Sequence, residues 1–315
     1  MSKERIAIIG MGGIGCYYAG MFARAGHEIL ALARGENLRA IRSAGLEIRT
    51  PEGNWKEQID ATDQPNQIAK SIRDGDFAIV STKSYSLAEV APAAKLLAER
   101  GATVLPLLNG VDAAERLIQL GVNGDRLLGG VTYISAVRTA PGIVERKTPF
   151  QRVVVGELAG GMSARAERLA TIFREAGVEA SATDNVAVAL WQKFILLASI
   201  AAVCGVTRSA VGAVRKSQGG RRSFQRAVHE VVALGRARGI ALPENAAAHA
   251  IAQLEAFSDD ARPSLLLDVE AGSRTEVDVL SGAISRMAEA AGVDVPIHDF
   301  AATVLGLREE NLGVH

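Results

Sequence analysis

The sequence predicts two consecutive domains, an α/β domain with a parallel sheet over residues 1–183 and an all-helical domain over residues 184–315. A chain of 315 residues is long for one hydrophobic core, because cores stop growing at about 250–300 residues. In the first half, short β-branched runs alternate with helix-like segments, which is typical of a parallel sheet covered by helices on both faces. From about residue 184, alanine and leucine dominate, and runs that resemble strands nearly disappear.

The predicted strands of the first domain are apolar runs that each end at a turn or at a polar residue. They cover residues 6–10, 28–34, 76–83, 102–110, 130–136, 142–147 and 152–157. Segments of helical period lie between the earlier strands, for example residues 16–25 and 86–100. A last helix is predicted over residues 163–177, with Ser163 as its N-cap and Gly177 at its end.

The second domain is predicted to consist of long helices joined by short turns. These helices cover residues 185–202, 222–238, 244–257, 263–271, 275–291 and 297–308. Pro243, Pro263 and Pro296 each stand at or just before a predicted helix start, where the missing backbone N–H costs nothing.

A glycine-rich turn follows the first predicted strand and opens a helical pattern. Its glycines have the G-x-G-x-x-G spacing of Rossmann-type domains, in which the backbone approaches a pyrophosphate at a helix N-terminus. We therefore predict that this loop binds a dinucleotide; a glycine-rich turn without a ligand is the alternative. The loop consists of Gly10, Met11, Gly12, Gly13, Ile14 and Gly15.

The residue at the end of the second predicted strand indicates which dinucleotide is bound. NAD-binding proteins usually have Asp or Glu there, which bonds to the ribose 2′-hydroxyl. Arg34 stands there instead, and a cation suits the 2′-phosphate of NADP. Lys83, at the end of another strand, adds a second positive charge at the same edge of the sheet. Glu36 is close to Arg34, so NAD remains an alternative, as does an arginine that only faces water.

Lys193 stands immediately before an uncharged run over residues 194–207. Transfer of a hydride to a ketone leaves negative charge on oxygen, so a nearby acid must supply a proton, and a lysine can do so. Asn109, Ser264 and Glu276 are candidates for the same site, and a carboxylate such as Glu276 would raise the pKa of a desolvated lysine. The alternative is a structural lysine whose stem lies on apolar surface while its amine reaches water.

Composition and charge argue against several other classes of protein. With 35 basic and 35 acidic residues the net charge is zero, so nothing favours nucleic acid or an anionic membrane as a partner. The apolar run over residues 194–206 has 13 residues, fewer than the roughly 20 that span a bilayer, and no secretory signal opens the chain. The histidines have no metal-binding spacing, so we expect no metal. We expect a cytoplasmic enzyme; the pattern does not separate a homodimer face from core.

Several segments, spread over nearly the whole chain, carry a resemblance to one family. They are "IAIIGMGGIG", "STKSY", "LLNGV", "GGVTYISA", "PGIVER", "WQKF", "SLLLDVEAGSRTEVDVLSG" and "VPIHDF". In these segments the sequence resembles the ketopantoate reductases (2-dehydropantoate 2-reductases). The resemblance implies a Rossmann-type domain followed by a helical domain related to that of 6-phosphogluconate dehydrogenase. It also implies reduction of a 2-oxo acid with NADPH, as in the conversion of ketopantoate to pantoate in pantothenate biosynthesis.

The resemblance further implies a role for each matching residue. The loop over residues 10–15 would hold the pyrophosphate, and Arg34 and Lys83 would face the phosphate on the adenosine side. Lys193 matches the family's proton donor. The other matches are Asn109 near the nicotinamide ribose and the substrate, Ala136 against the cofactor, Ser264 against the substrate, and Glu276 close to the lysine and the cofactor.

Four positions depart from the family's pattern. Family members that make pantoate have asparagines that contact the substrate at the positions of Leu197, Ala201, Val211 and Ala261. A polar substrate group that loses its amide partner is poorly paired, at a cost of about 1–3 kcal/mol per buried group. A reductase of a different, more apolar 2-oxo or 3-oxo compound is therefore an alternative. A non-catalytic NADPH-binding sensor is another, although binding alone requires no proton donor.

Overall fold

The computed structural model describes residues 3–314, and the chain divides into two compact units. The first contains the residues up to Leu108 together with Asp112–Val186, and the second contains Asn109–Val111 together with the residues from Ala187 onwards. The division predicted after residue 183 falls at the end of a strand, whereas the units separate three residues later, at the start of a helix. Asn109 therefore belongs with the helical unit.

The first unit is an α/β unit. Its strands are β1 (Arg5–Ile9), β2 (Glu28–Leu32), β3 (Leu46–Thr50), β4 (Gly53–Glu57), β5 (Asp60–Thr62), β6 (Phe77–Val80), β7 (Thr103–Pro106), β8 (Leu128–Tyr133), β9 (Ala136–Ala140), β10 (Ile143–Arg146), β11 (Arg152–Glu157) and β12 (Glu179–Thr183). Its α-helices are α1 (Gly13–Arg24), α2 (Gly35–Ala44), α3 (Pro65–Ser71), α4 (Leu87–Glu99), α5 (Ala113–Gln119) and α6 (Ala164–Glu175). Short 3-10 helices cover Ser84–Ser86 and Gly124–Arg126.

A five-stranded parallel sheet with the order β5-β2-β1-β6-β7 forms the centre of this unit. Successive residues of β1 pack on opposite faces, since Ile6 and Ile8 belong to one apolar core while Ala7 and Ile9 belong to another. Both faces of the sheet are thus covered, which confirms the predicted parallel sheet. Ser163 caps α6 as predicted, because its hydroxyl oxygen accepts a hydrogen bond from the first turn.

The strands predicted over residues 130–136, 142–147 and 152–157 exist, but they belong to two smaller mixed sheets. One has the order β4-β3-β10-β9, and the other has the order β12-β11-β8. β11 pairs antiparallel with β8 and parallel with β12. β3 pairs antiparallel with β4 in a hairpin that contains Trp55, and β4 consists of exposed and partly exposed residues without an apolar run.

The described residues of the second unit form helices and connecting turns, with no strand among them. Its α-helices are α7 (Val186–Thr207), α8 (Val211–Lys216), α9 (Gln218–Ala237), α10 (Ala246–Gln253), α11 (Ser264–Glu270), α12 (Ser281–Ala291) and α13 (Pro296–Leu312). Two glycines allow close approach of α7 to its neighbours. A Cβ at Gly205 would lie 2.5 Å from Leu265 Cδ2, and a Cβ at Gly235 would lie 2.9 Å from Trp191 Cε3. This tight packing against α11 and α9 fixes the helix that carries Lys193.

α7 is longer than the uncharged run that the sequence shows. With 22 residues and a mean hydropathy of 2.0 in its most apolar window, it could cross a membrane by length and composition alone. The core helix of a soluble protein passes the same test. Trp191, Phe194 and Ile195 of α7 are buried in the apolar core of the helical unit. We therefore interpret α7 as a core helix.

The single helix predicted over residues 275–291 is wrong in its first part. Val277–Val279 form a short 3-10 helix, and α12 begins only at Ser281. Leu280, between them, has φ −104° and ψ −100°, which is not helical. The buried apolar residues of this segment also fit a helical period, which is why the pattern misled. Glu276 therefore lies just before a turn and not on an α-helix.

Candidate active site

The loop between β1 and α1 is packed so closely that several of its positions admit no side chain. A Cβ at Gly13 would lie 2.0 Å from Ala136 O, and a Cβ at Gly15 would lie 2.0 Å from Gly10 O. Gly10 has a φ of +97°, which residues with a side chain rarely adopt. The packing of the chain itself therefore explains these three glycines.

Gly12 is different, because nothing in the described chain requires glycine there. Its φ is −80°, and a Cβ would meet only Ser81 O, at 3.9 Å. Gly12 is also the N-cap of α1 and, without a side chain, provides no cap for the first N–H groups of this helix. An open glycine beside uncapped amides suits a bound pyrophosphate, so the loop fits the phosphates of a dinucleotide.

The carbonyl oxygen of Met11 joins the loop to the rest of its unit. It accepts hydrogen bonds from Asn37 Nδ2 at 2.9 Å and from Arg138 Nη1 at 3.5 Å. Asn37 Oδ1 accepts a further hydrogen bond from Gly142 N at 2.8 Å. Since Met11 and Asn37 are buried, this amide fixes the loop to the turn between β9 and β10.

Arg34 lies at the N-cap of α2, and its exposed guanidinium forms an ion pair with Glu89 of α4. Nη2 donates to Glu89 Oε2 at 3.0 Å, and Nη1 donates to Oε1. The guanidinium holds the pKa of the Glu89 carboxyl below its usual range. A 2′-phosphate that bound to Arg34 would have to share this guanidinium with a carboxylate.

Three polar side chains of the helical unit form a continuous hydrogen-bonded series, called here the Lys193 series. Lys193 Nζ donates to Asn109 Oδ1 at 3.2 Å, and Asn109 Nδ2 donates to Glu276 Oε2 at 3.1 Å. Glu276 is only 5% exposed, and the other two residues are partly buried. The fold thus brings together residues that stand 84 and 167 positions apart in the sequence.

The Asn109 amide has one orientation that satisfies both of its neighbours. An ammonium group only donates hydrogen bonds, and a carboxylate only accepts them. Asn109 therefore presents its oxygen to Lys193 and its nitrogen to Glu276. This arrangement favours the charged form of Lys193.

Burial and charge have opposite effects on the Lys193 amine. Burial lowers the pKa of Lys193 from 10.5 to about 8, and the negative charge of Glu276 acts in the raising direction. With that pKa, about nine-tenths of the amine is charged at pH 7. The ammonium also has two N–H donors besides the one that Asn109 accepts. Such a group can hold a proton at neutral pH and give it to a developing oxyanion.

Apolar side chains occupy the four positions at which family members that make pantoate have asparagine. Leu197 and Ala201 follow Lys193 by one and two turns of α7, on the same side of the helix. Val211 N donates to Ala261 O at 2.9 Å, so the other two positions adjoin each other through the backbone. None of these four side chains can form a hydrogen bond with a substrate.

The remaining predicted residues lie as follows. Ser264 is the exposed first residue of α11. Lys83 is the partly buried residue before the 3-10 helix Ser84–Ser86. Ile14 is partly buried on α1, and Ala136 is the first residue of β9. Their roles remain predictions.

Sequence reasoning missed Asn37 and Glu89. A signal for Asn37 was present, because a polar residue occupies the face of α2 that also buries Leu38 and Ile41. Glu89 is exposed, and its ion pair with Arg34 joins two helices that are far apart in sequence. No local pattern could have indicated that contact.

Both halves of the chain match sequence models of one family. Residues 6–160 match the family described as ketopantoate reductase PanE/ApbA, and residues 185–309 match its C-terminal part. A 2-dehydropantoate 2-reductase of Halobacterium salinarum is 30% identical, over 98% of this chain and 99% of that protein.

Solved structures are similar over nearly the whole chain. A PanE/ApbA family ketopantoate reductase from Ralstonia eutropha JMP134 has a TM-score of 0.85 and 29% identity, over 98% of this chain and 99% of the other. D-mandelate dehydrogenase, solved with NADH and anilino(oxo)acetate, has a TM-score of 0.88 and 24% identity, over 99% of this chain and 100% of the other. The second likeness is one of fold.

Proposed function

Because the chain belongs to the ketopantoate reductase family, a family of NAD(P)-dependent oxidoreductases acting on CH–OH groups, we propose that it reduces a 2-oxo acid with NADPH and with Lys193 as the proton donor. The observation that carries the proposal is the Lys193 series. A buried carboxylate, an amide and an ammonium group, joined by hydrogen bonds in that order, present a proton at a defined atom, Lys193 Nζ. A sensor of the dinucleotide would have no use for it.

The residues of this chain have separate tasks in the reaction. When bound, the dinucleotide supplies a hydride to the carbonyl carbon of the substrate. Lys193 Nζ donates its proton to the carbonyl oxygen as negative charge develops there, while Asn109 continues to accept one of its other N–H groups. In the direction of alcohol oxidation, the neutral amine takes the proton back. Glu276 keeps the amine charged between turnovers by raising its pKa.

Binding of the dinucleotide is assigned to the loop over residues 10–15, with Gly12 against the pyrophosphate. Ala136 stands on the other side of this loop and would touch the cofactor, as would Asn109 and Glu276. Arg34, with Lys83, would bind the 2′-phosphate and so favour NADPH over NADH. Since D-mandelate dehydrogenase was solved with NADH, both dinucleotides belong in the assay.

Ketopantoate is the first substrate to test, and the experiment follows the nicotinamide absorbance after mixing the protein with NADPH and millimolar ketopantoate. We expect oxidation of NADPH by the wild-type protein. Lys193→Ala should lower kcat by about 100-fold or more, because a positioned acid contributes about 10²–10⁴-fold. Lys216→Ala, which removes an exposed lysine of the same unit, is the matched control and should leave kcat unchanged. Full turnover by Lys193→Ala would disprove the proton-donor role.

A reductase of a more apolar 2-oxo acid is the second candidate. It is favoured by Leu197, Ala201, Val211 and Ala261, which leave the polar groups of ketopantoate without amide partners. The fold neighbour D-mandelate dehydrogenase was solved with anilino(oxo)acetate, so phenylglyoxylate, the 2-oxo acid of mandelate, belongs in the panel. A kcat/KM that is higher for apolar 2-oxo acids than for ketopantoate would select this candidate. Absence of turnover with every 2-oxo acid would disprove both.

A further inference from the structure

The end of α11 and the segment from there to Glu276 are held by two neighbouring side chains near the end of α13. Arg308 Nη2 donates to Val269 O at 2.6 Å, and Arg308 Nη1 donates to Ser273 O at 3.2 Å. The carboxylate of Glu309 accepts a hydrogen bond from Thr275 N at 2.7 Å. We call Arg308 and Glu309 the α13 clamp.

The Thr275 hydroxyl extends this hold to both sides of Glu276. It donates to Glu309 Oε1 and accepts a hydrogen bond from Val277 N at 3.1 Å. The residues immediately before and after Glu276 are therefore fixed through one hydroxyl group. Thr275 is only 3% exposed, so water cannot easily replace these bonds.

We propose that the α13 clamp and Thr275 are positioning residues that aim the Glu276 carboxylate at Asn109, and through Asn109 act on Lys193. The proposal rests on the proposed role of Lys193 in proton transfer. Glu276 precedes a short 3-10 helix and lies outside α11 and α12, so no α-helix fixes its direction. The Glu276 carbonyl accepts from Val279 N and Leu280 N, and the bonds of Thr275 add a constraint at a distance of one residue on either side.

A structural role alone explains this arrangement less well. An apolar residue at position 275 would fill the buried space without the cost of burying a hydroxyl. Thr275 instead pairs with a carboxylate, and its two hydrogen bonds are directional. Directional bonds beside Glu276 matter because the contact to Asn109 Nδ2 tolerates little displacement.

The test compares two pairs of variants in which one member removes the bond and the other keeps it. Thr275→Val removes the hydroxyl, whereas Thr275→Ser retains it. Glu309→Ala removes the acceptor, whereas Glu309→Gln retains an oxygen that can accept both bonds. Glu310→Ala, at the next, exposed residue of α13, and Thr303→Val, at an exposed position of the same helix, are the matched controls.

The direct readout is an NMR titration of the lysine side chains, with the Lys193 signal identified by its absence from Lys193→Arg. In Thr275→Val and Glu309→Ala we expect the pKa of Lys193 to fall, as it should in Glu276→Gln, because the raising effect of Glu276 weakens. Thr275→Ser and Glu309→Gln should keep the wild-type pKa. Thr275→Val should have no further effect in a Glu276→Gln background, because it acts through Glu276.

Activity gives the second readout. Thr275→Val and Glu309→Ala should lower kcat by about tenfold, whereas Thr275→Ser and Glu309→Gln should keep the wild-type kcat. An unchanged Lys193 pKa in both variants, with only a lower Tm, would overturn the proposal. If Thr275→Val does not fold, the Glu309 pair decides alone. The titration needs neither dinucleotide nor substrate. If Lys193→Ala proved fully active and so disproved the proton-donor role, the titration would still show whether Thr275 and Glu309 act on the pKa of Lys193.

Discussion

In the first unit, steric restriction determines the loop over residues 10–15, because backbone atoms such as Ala136 O, beside Gly13, occupy the space that a side chain would need. In the second unit, the Lys193 series is shaped by attraction between charged and polar side chains from three separate segments. The loop has no titratable group, whereas the Lys193 series contains two. The two regions should therefore fail in different ways when they are changed.

The difference predicts which measurement reports on which region. Changes in the loop should alter dinucleotide affinity equally at all pH values, because steric exclusion does not depend on protonation. Changes in the Lys193 series should alter the pH dependence of turnover, because they act on the pKa of one amine. The following experiments test this separation.

The largest expected effect on dinucleotide binding comes from adding one methyl group to the loop. Gly12→Ala and Gly13→Ala should each weaken NADPH binding by about 100-fold, since overpacking costs about 1–3 kcal/mol and 2.7 kcal/mol corresponds to 100-fold. Only Gly13→Ala should also lower the free energy of unfolding, because its Cβ would lie 2.0 Å from Ala136 O. Fluorescence titration and thermal unfolding measure the two quantities.

Gly12→Ala is the sharper of these variants, because within the chain its Cβ would meet only Ser81 O, at 3.9 Å. The free energy of unfolding should change by less than about 1 kcal/mol. If NADPH affinity also stayed at the wild-type value, the pyrophosphate would not lie against Gly12. A dependence of the affinity loss on pH would break the separation between the two regions.

An intermediate effect is expected from pH. In the proposed reaction Lys193 must be charged to donate its proton, so kcat/KM for carbonyl reduction should be constant below about pH 8 and fall about tenfold per pH unit above it. The rate of the reverse oxidation needs the neutral amine and should rise as pH approaches 8. Glu276→Gln removes a charge that raises the pKa of Lys193, so both limbs should move to lower pH.

Steady-state rates measured from pH 6 to 10 check this prediction, and Glu276→Gln should have a lower kcat/KM for reduction than the wild type at pH 8. Asp278→Asn, at an exposed residue two positions later, is the matched control. If Glu276→Gln shared the wild-type profile, the Lys193 amine would be governed by burial alone.

The loop could be predicted from the sequence because its physics is local. A strand, a turn and a helix follow one another within residues 5–24, and the spacing of the glycines indicates where the turn has no room for side chains. The parallel sheet was predictable for a similar reason, since residues 6–9 of β1 and all of β6 are continuous apolar runs that only a doubly covered sheet can bury.

The Lys193 series could be named from the family resemblance but not built from the sequence. Its hydrogen bonds join positions 84 and 167 residues apart, and no spacing rule encodes such distances. Glu276 was placed on a helix because the apolar residues after it have helical spacing. The Thr275 hydroxyl, by accepting from Val277 N, supports a turn instead, and only the fold reveals Glu309 as its partner.

The smallest expected effect concerns the ion pair of Arg34 and Glu89, a charge interaction in the same unit as the sterically restricted loop. If Arg34 binds the 2′-phosphate as proposed, Glu89 competes for its guanidinium, and Glu89→Gln should strengthen NADPH binding. The gain should be about threefold, because an exposed ion pair is worth about 0–1 kcal/mol. NADH binding should not change, since NADH has no 2′-phosphate. Glu99→Gln, which removes an exposed carboxylate at the other end of α4, is the control.

The ratio of the two dissociation constants is the decisive quantity, because a general effect on the fold would cancel in it. Measured at low and at high salt, the ratio for Glu89→Gln should approach the wild-type ratio as salt screens the exposed charges. An equal change in NADH and NADPH affinity would show that Arg34 does not read the 2′-phosphate. Any preference for NADPH that the assay then showed would depend on Lys83 alone, and Lys83→Ala should abolish it.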